Sequence, residues 1–266
     1  LAGAAVAEAM EGIDAVFHLA AAVGVDLVVK RPVWTIETNV HGTENILECA
    51  ARRPDTRVFL ASTSEVYGRS EAPSFRESDD LLIGPSSQGR WAYAASKLVD
   101  EFLALAYARE GRLQSCVVRF FNTVGPRQSG RYGMVLPRFV QAAVQNRPLR
   151  VFGDGKQTRC FCHVADTVRA LLALDACDDL SGQTFNIGTD REISIAQLAE
   201  TVIRVCESQS TIEYVPYAEA YEPGFEDMRR RVPDTTALEQ RTGWRWQHSL
   251  ENTIREVRDA VTNVSI

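Results

Sequence analysis

The sequence of 266 residues has no long apolar run and no excess of positive charge. A membrane-spanning helix needs about 20 consecutive apolar residues, and no run in this chain approaches that length. The net charge is −6 and the isoelectric point about 5.4, so the overall charge does not favour a nucleic-acid partner. Residues 1–12 also lack the basic start and the continuous apolar block of a signal peptide. These absences predict a cytoplasmic protein that acts on neither a membrane nor a nucleic acid.

Cysteine is present, but its arrangement suits neither disulfides nor a metal. The six cysteines lie at irregular intervals, mostly in apolar segments, which indicates reduced thiols in a chain that is long enough to fold on its apolar core. Two of them stand in the segment CFCH at 160–163, but no second pair follows at the spacing of a zinc ribbon or finger. We therefore predict no metal site.

Short apolar strands alternate with amphipathic helices along the chain. The spacing predicts strands at 14–20, 58–62, 115–120 and 184–187, and helices at about 33–52, 91–109, 134–146, 164–176, 194–207 and 248–262. Such alternation is typical of a parallel sheet with helices on both faces. Beyond Asn122 the chain becomes rich in Gly- and Arg-containing loops. We therefore predict an α/β fold, a doubly wound parallel sheet of the Rossmann-like type with a smaller, interleaved C-terminal lobe.

The pattern Tyr93-Ala-Ala-Ser-Lys97 lies within the helix predicted at 91–109. Side chains four residues apart share one face of a helix, so the Lys97 cation is predicted to stand beside Tyr93. A free tyrosine has a pKa of about 10, and a nearby cation lowers it by favouring the phenolate. Such a tyrosine can take a proton from a sugar hydroxyl while a nicotinamide accepts the hydride. The same pattern also occurs in a helix with a buried tyrosine and a solvated lysine.

Three hydroxyl groups and one carboxylate follow the apolar segment 57–60. Residues 61–68 read ASTSEVYG, which places Ser62, Thr63 and Ser64 at the end of a predicted strand, where open α/β sheets bind their ligands. Glu65 comes directly behind these hydroxyls. Oxidation of a hydroxyl by a nicotinamide, with Tyr93 as the base, does not require this carboxylate. Glu65 therefore indicates either a further acid–base step or an ion pair with a nearby basic group.

Several motifs, in the same order, resemble the extended short-chain dehydrogenase/reductase family of NAD-dependent nucleotide-sugar epimerases, dehydratases and decarboxylases. They are VFHLAA at 16–21, TNVHGTENIL at 38–47, STSEVYG at 62–68, YAASK at 93–97, VRFFNTVGPR at 118–127 and FNIG at 185–188. The resemblance covers essentially the whole chain. It implies that residues 1–122 and 163–188 form a dinucleotide-binding domain for NAD. Residues 123–162 and 189–266 would form the lobe that binds a nucleotide sugar.

The resemblance also implies a role for each residue that matches a motif. Tyr93 would be the base, and Lys97 would lower the pKa of Tyr93. Thr63 and Ser64 would bind the sugar hydroxyl that is oxidised. Contacts with the cofactor are implied for Ala20, Ala21, Asn39, Ser62, Tyr93 and Lys97. Contacts with the substrate are implied for Asn122, Arg127, Arg159 and Arg231. Asn39 also suits a helix cap, and Arg127 a solvated loop.

UDP-glucuronate decarboxylases contain segments similar to GKQTRCF at 155–161 and GFEDMRRRVPD at 224–234. Thr63-Ser64-Glu65 resembles both these decarboxylases and GDP-mannose-type dehydratases. Oxidation at C4 turns glucuronic acid into a β-keto acid that can lose CO2. Glu65 and Arg159 would then orient the carboxylate and manage the proton at C5. UDP-xylose or the UDP-4-keto-pentose is the expected product. A 4-epimerase and a 4,6-dehydratase are alternatives within the family, and a sugar-nucleotide-binding module without catalysis is an alternative of another class.

The resemblance is incomplete at the start of the chain. The sequence contains no Gly-x-x-Gly-x-x-Gly turn, which family members use to bind the cofactor pyrophosphate. About 60 residues of a first βαβ unit would precede Leu1, so we expect a fragment of a longer enzyme, and the choice between NAD and NADP cannot be read. A homodimer is expected through the helices at 33–52 and 91–109, with Leu98, Phe102 and Leu105 as candidate contacts.

Overall fold

The computed structural model describes residues 3–53, 55–130, 134–220 and 228–264. Part of the motif at 224–234, namely 224–227, therefore lies outside the described residues. The helices are α1 (Gly3–Ala9), α2 (Val25–Lys30), α3 (Pro32–Ala50), α4 (Trp91–Arg109), α5 (Val135–Val144), α6 (Val164–Asp175), α7 (Ile195–Val205), α8 (Tyr217–Ala220), α9 (Thr236–Thr242) and α10 (Leu250–Val264). The strands are β1 (Ala15–His18), β2 (Arg57–Thr63), β3 (Gln114–Phe120), β4 (Thr123–Val124), β5 (Leu149–Phe152), β6 (Thr158–Cys160), β7 (Cys162–His163), β8 (Gln183–Ile187), β9 (Glu192–Ser194) and β10 (Ile212–Val215).

The central sheet is parallel and contains the strands that the sequence predicts. β1, β2, β3 and β8 pair in that order, each parallel to its neighbour. The residues Val58, Phe59 and Leu60 of β2 are all buried, as expected for a parallel strand that is covered on both sides. The predicted α/β fold with a parallel sheet is confirmed. None of the helices described here combines the length and the apolar character that crossing a membrane requires.

Helices cover both faces of this sheet. Successive residues of a strand point to opposite faces, so Val58 and Leu60 pack with Leu47 of α3 on one side. Phe59 packs with Leu174 of α6 on the other side. Leu47, Leu60 and Leu174 are fully buried, and burial of each such side chain contributes roughly 2 kcal/mol to stability. The sheet is therefore doubly wound, as predicted.

A separate apolar core forms between α5, α7, α10 and β5. It includes Leu136, Val151, Leu198 and Ile254, which do not belong to the clusters on either face of the sheet. This second core corresponds to the predicted smaller lobe. Leu238 of α9 and the following Trp244 join the core on the sheet.

Candidate active site

A cavity of about 390 Å³ lies where β1, β2 and β3 end at their carboxyl termini. Open α/β sheets bind ligands at this edge because the strand ends and the following turns converge there. The smaller lobe closes the other side of the cavity, with Phe139 of α5, Phe152 of β5 and Tyr217 of α8. Ten of the residues predicted from the sequence line it: Ala21, Ser62, Thr63, Ser64, Glu65, Tyr93, Lys97, Asn122, Arg159 and Arg231.

Three predicted residues lie outside the wall of this cavity, namely Ala20, Asn39 and Arg127. Asn39 is buried in the middle of α3, and its amide bonds the Ala22 backbone, accepting from the N–H at 2.7 Å and donating to the carbonyl at 3.3 Å. The roles that the resemblance implies for Ala20, Asn39 and Arg127 therefore stay predictions. Asn39 instead fixes the loop after β1, which does line the cavity.

Tyr93 of α4 meets hydroxyl and charged groups from two other parts of the chain. The Thr63 hydroxyl oxygen accepts from the Glu65 backbone N–H at 3.2 Å, which leaves its proton for the Tyr93 oxygen, with which Thr63 also interacts. Burial raises the pKa of Tyr93 above its usual range, and the Glu65 carboxylate raises it further, while Thr63 and Arg231 act in the opposite direction. The phenol of Tyr93 therefore holds its proton strongly in this structure.

Lys97 contacts a carboxylate that the sequence analysis did not single out. Its Nζ donates to Asp100 Oδ2 at 2.7 Å, and only 2% of the Lys97 side chain and none of the Asp100 side chain are exposed. Burial is the largest cause of the raised pKa of Tyr93, and Asp100 acts in the same direction, so a lowering of this pKa by Lys97 stays a prediction. The spacing of Lys97 and Asp100 on one helix face was the available sequence signal for this pair.

Glu65 forms an ion pair with Arg231, which lies 166 residues further along the chain. Arg231 Nη1 lies 3.4 Å from Glu65 Oε1, and the two side chains are only 12% and 19% exposed. Both residues also line the cavity, and both influence the pKa of Tyr93. Glu65 thus has the basic partner that one interpretation predicted, and the pair stands beside the predicted base.

Arg159 lines the cavity and also binds backbone carbonyl groups. Its Nη1 donates to the carbonyl oxygens of Thr158 at 2.7 Å and Met228 at 2.8 Å, and the residue is 5% exposed. The contact with Met228 ties β6 to the segment that carries Arg231. Arg231 pairs with Glu65 directly, and Arg159 holds the segment that carries Arg231.

The buried ion pair of Glu101 and Arg119 holds Ser62 on the side away from the cavity. The Ser62 hydroxyl donates to the Glu101 carboxylate, which also accepts from Arg119 Nε at 3.0 Å and Nη2 at 2.8 Å. All three residues are almost fully buried. Sequence reasoning missed Glu101 and Arg119 because each lies in a segment whose other residues indicate only a core helix or strand.

The two ends of the cavity differ in chemical character. Around the ends of β1 and β2 the wall is formed by small or apolar residues next to hydroxyl and ammonium groups: Leu19, Ala21, Val23, Gly24, Ala61, Ser62, Tyr93 and Lys97. This set fits a flat nicotinamide ring with its ribose. At the lobe end, Arg138 lies 5.1 Å from the Phe152 ring centre, near Arg150 and Tyr217. Cations beside aromatic rings fit a nucleotide with its phosphates.

Comparison with known proteins agrees with this chemistry. The family model for NAD dependent epimerase/dehydratase proteins matches residues 1–188. The chain is 44% identical over 252 residues to a UDP-N-acetyl-alpha-D-glucosaminuronate decarboxylase of Bacillus cytotoxicus, covering 92% of this chain and 77% of that protein. It is 36% identical over 238 residues to UDP-glucuronic acid decarboxylase 1 of Arabidopsis thaliana, covering 90% of this chain and 52% of that protein. The solved structure of DesIV, a dTDP-glucose 4,6-dehydratase from Streptomyces venezuelae with NAD bound, matches 98% of this chain and 77% of its own, with a TM-score of 0.85 and 27% identity.

Proposed function

The chain belongs to the NAD dependent epimerase/dehydratase family, and from this premise we propose that it serves in the NAD-dependent decarboxylation of a UDP-hexuronic acid. The observation that carries the proposal is the Glu65–Arg231 ion pair, which lies in the same cavity as Tyr93 and Thr63. Of these four residues, only Tyr93 and Thr63 are needed for the removal of a hydride and a proton at C4. The pair supplies a carboxylate and a cation for a step at the neighbouring C5.

At C4, the residues of this chain would bind the sugar hydroxyl and move its proton. Tyr93, in its phenolate form, would accept the proton, and the Thr63 hydroxyl would hold the Tyr93 and sugar oxygens in line. The wall formed by Leu19, Ala21 and Val23, with Lys97, would hold the nicotinamide. When bound, NAD supplies the hydride acceptor for oxidation at C4. The product of this first step is a β-keto acid, whose C5–C6 bond is weakened by the new ketone.

The Glu65–Arg231 pair would serve the second step, the loss of CO2 from C5. The C5–C6 bond breaks, CO2 leaves, and the bonding electrons pass into the C4 carbonyl as an enolate. Arg231 would neutralise the substrate carboxylate beside Glu65, because two unscreened carboxylates in one buried site repel each other. A water molecule held by the Glu65–Arg231 pair would then give its proton to C5 of the enolate, and the hydroxide would be neutralised by solvent. Arg159 would contribute by holding the segment of Arg231 through the Met228 carbonyl.

The test is a product assay on the full-length protein with NAD. UDP-glucuronate and UDP-N-acetylglucosaminuronate, each carbon-13 labelled at the carboxyl carbon, are supplied in parallel and followed by NMR. Labelled CO2 together with a UDP-pentose is the expected result, and the faster of the two substrates identifies the sugar. Labelled UDP-galacturonate without CO2 would contradict decarboxylation and indicate a 4-epimerase. The absence of any product from both substrates would also contradict the proposal.

We propose further that the protein is a homodimer formed through α3 and α4. These helices lie side by side and expose apolar residues in the same region, including Val33 and Ile36 of α3 and Val99 and Phe102 of α4. Phe102 is 64% exposed. The other two predicted contacts, Leu98 and Leu105, instead pack partly buried against cores of their own subunit.

Phe102→Glu is expected to convert the dimer into a monomer, because a charged side chain at the centre of an apolar interface loses its hydration. Light scattering at micromolar concentration measures the mass, and circular dichroism confirms that the fold is kept. Val168→Glu, at a similarly exposed apolar position on α6, is the matched control and is expected to stay dimeric. A wild-type protein that is already monomeric, or a dimeric Phe102→Glu variant, would contradict this interface.

The cytoplasm is the compartment that we propose for this reaction. The six cysteines are free thiols, and burial raises the pKa of Cys116, Cys160 and Cys162 to about 12. Such thiols stay protonated and inert at neutral pH. These properties support a reducing environment without requiring one of the thiols for catalysis.

A further inference from the structure

Asn186 of β8 contacts both of the segments that carry the Glu65–Arg231 pair. We propose that Asn186 is a positioning residue for the decarboxylation step, because it holds Arg231 at the distance from Glu65 that this step requires. The inference rests on the proposed role of the pair at C5. Its basis is geometric, since Asn186 is fully buried and forms hydrogen bonds with both segments.

The amide nitrogen of Asn186 holds the segment of Arg231. Its Nδ2 donates to the Phe75 carbonyl at 2.9 Å and to the Asp234 carbonyl at 3.1 Å. The Phe75 backbone also pairs with this segment, since its N–H donates to the Val232 carbonyl at 2.8 Å and its carbonyl accepts from the Asp234 N–H at 2.8 Å. Val232 directly follows Arg231, so these contacts fix the backbone on the C-terminal side of Arg231.

The amide oxygen of Asn186 holds the turn that carries Glu65. This turn is the short 3₁₀ helix Ser64–Tyr67, and the Tyr67 hydroxyl donates to Asn186 Oδ1 at 2.8 Å. Burial raises the pKa of Tyr67 to about 12, so its hydroxyl keeps its proton at neutral pH. Arg119 Nη1 donates to the same hydroxyl oxygen at 3.0 Å. The turn therefore cannot shift without breaking buried hydrogen bonds, which is unfavourable.

The ion pair itself depends closely on the position of these segments. Arg231 Nη1 lies 3.4 Å from Glu65 Oε1, which is longer than most hydrogen bonds in proteins. A further displacement of about 1 Å would separate the two charges, and a misplacement of this size can cost about 10²-fold in rate. Because Asn186 fixes the two segments relative to each other, its amide is expected to control this distance.

Asn186→Leu removes the polar atoms and keeps the shape, because leucine branches at the same carbon. CO2 release is expected to fall between about 10-fold and 10²-fold, while oxidation at C4 stays within about twofold of the wild-type rate. The full-length protein is assayed in a single turnover, in which NADH absorbance reports oxidation and labelled CO2 reports the later step. An equal loss in both steps would indicate a merely structural role and contradict the proposal.

Thr253→Val is the matched control, because it also removes a buried polar group while keeping the shape. The Thr253 hydroxyl donates to the Ser249 carbonyl at 2.9 Å within the described part of the smaller lobe, and Thr253 does not line the cavity. Both steps are expected to proceed at the wild-type rate. A selective loss of CO2 release in Thr253→Val, as large as in Asn186→Leu, would contradict the proposal.

A second background tests whether the effect passes through the ion pair. When Arg231→Lys is already present, adding Asn186→Leu is expected to lower CO2 release by less than about twofold more, because residues that act through one contact are not additive. A further loss as large as in the wild-type background would overturn the proposal.

The crystal structure of full-length Asn186→Leu tests the proposal without turnover. The distance between Arg231 Nη1 and Glu65 Oε1 is expected to exceed about 4 Å, the limit for an ion pair. An unchanged distance would overturn the proposal. A wild type that decarboxylates neither sugar would contradict the proposed function, and this distance would still decide whether Asn186 positions Arg231.

Tyr67→Phe decides if Asn186→Leu does not fold. It removes only the hydroxyl between the turn and Asn186, and it keeps the ring that stacks on Phe75 with the ring centres 4.7 Å apart. A smaller loss of CO2 release, again with oxidation at C4 retained, is the expected result. A wild-type ratio of CO2 release to NADH formation in Tyr67→Phe would then count against Asn186.

Discussion

Tyr93→Phe is expected to lower turnover about 10³-fold while the affinity for the UDP-hexuronic acid stays nearly unchanged. The substitution removes a single oxygen from the cavity wall and keeps the ring that packs there. Proton transfer by a positioned group contributes about 10² to 10⁴ in rate, so a loss of this size corresponds to roughly 4 kcal/mol of transition-state stabilisation. Because the pKa of Tyr93 is raised, kcat/KM of the wild type is expected to rise with pH across the neutral range.

The measurement combines the rate of CO2 release with calorimetric binding of the nucleotide sugar. Tyr107→Phe provides the matched control, since Tyr107 lies on the same helix with its ring 4.1 Å from the Arg112 guanidinium, away from the cavity wall. It is expected to retain wild-type turnover. A Tyr93→Phe variant that keeps more than about a tenth of the wild-type rate would remove Tyr93 from the role of base.

Glu65→Gln and Arg231→Lys are each expected to reduce CO2 release by at least about 10²-fold while oxidation at C4 continues. Glutamine lacks the negative charge that pairs with Arg231, and lysine cannot reproduce the planar contact of a guanidinium with a carboxylate. NADH absorbance reports the oxidation, and labelled CO2 reports the later step. Arg159→Lys is expected to have a smaller effect, because Arg159 contacts backbone carbonyls rather than Glu65.

The chain offers a matched pair as control. Arg230 precedes Arg231 directly and pairs with Glu192 at 2.7 Å on the surface, where the side chains are 47% and 26% exposed. Arg230→Lys and Glu192→Gln are expected to release CO2 at the wild-type rate. Normal CO2 release from Glu65→Gln and Arg231→Lys would contradict the assignment of the decarboxylation step at C5 to this pair. A larger loss in Arg159→Lys than in Arg231→Lys would restore the role that the sequence suggested for Arg159.

The long elements of the fold could be predicted from the sequence with good bounds. The helix predicted at 91–109 is α4 (Trp91–Arg109), and the strand predicted at 58–62 lies within β2 (Arg57–Thr63). These elements carry enough apolar periodicity of their own to be recognised without knowledge of their neighbours. The helix α9 was not predicted, because its seven residues lie in a Pro-containing stretch and its one buried residue, Leu238, packs on a core that forms from distant segments.

The residues of the candidate site also fall into two groups, those that the sequence predicts and those that only the fold brings together. The sequence by itself determined the fold class, the Tyr93–Lys97 spacing and the hydroxyls at the end of β2, because each depends on residues within one or two turns of a helix or strand. Only the tertiary structure decided which charges meet: Arg231 with Glu65, Glu101 with Ser62 and Arg119, and Asp100 enclosed with Lys97 by α3 and β1. Ion pairs act over a few ångströms in space. For partners from distant segments, such as Glu65 and Arg231, the distance along the chain carries no information about that separation.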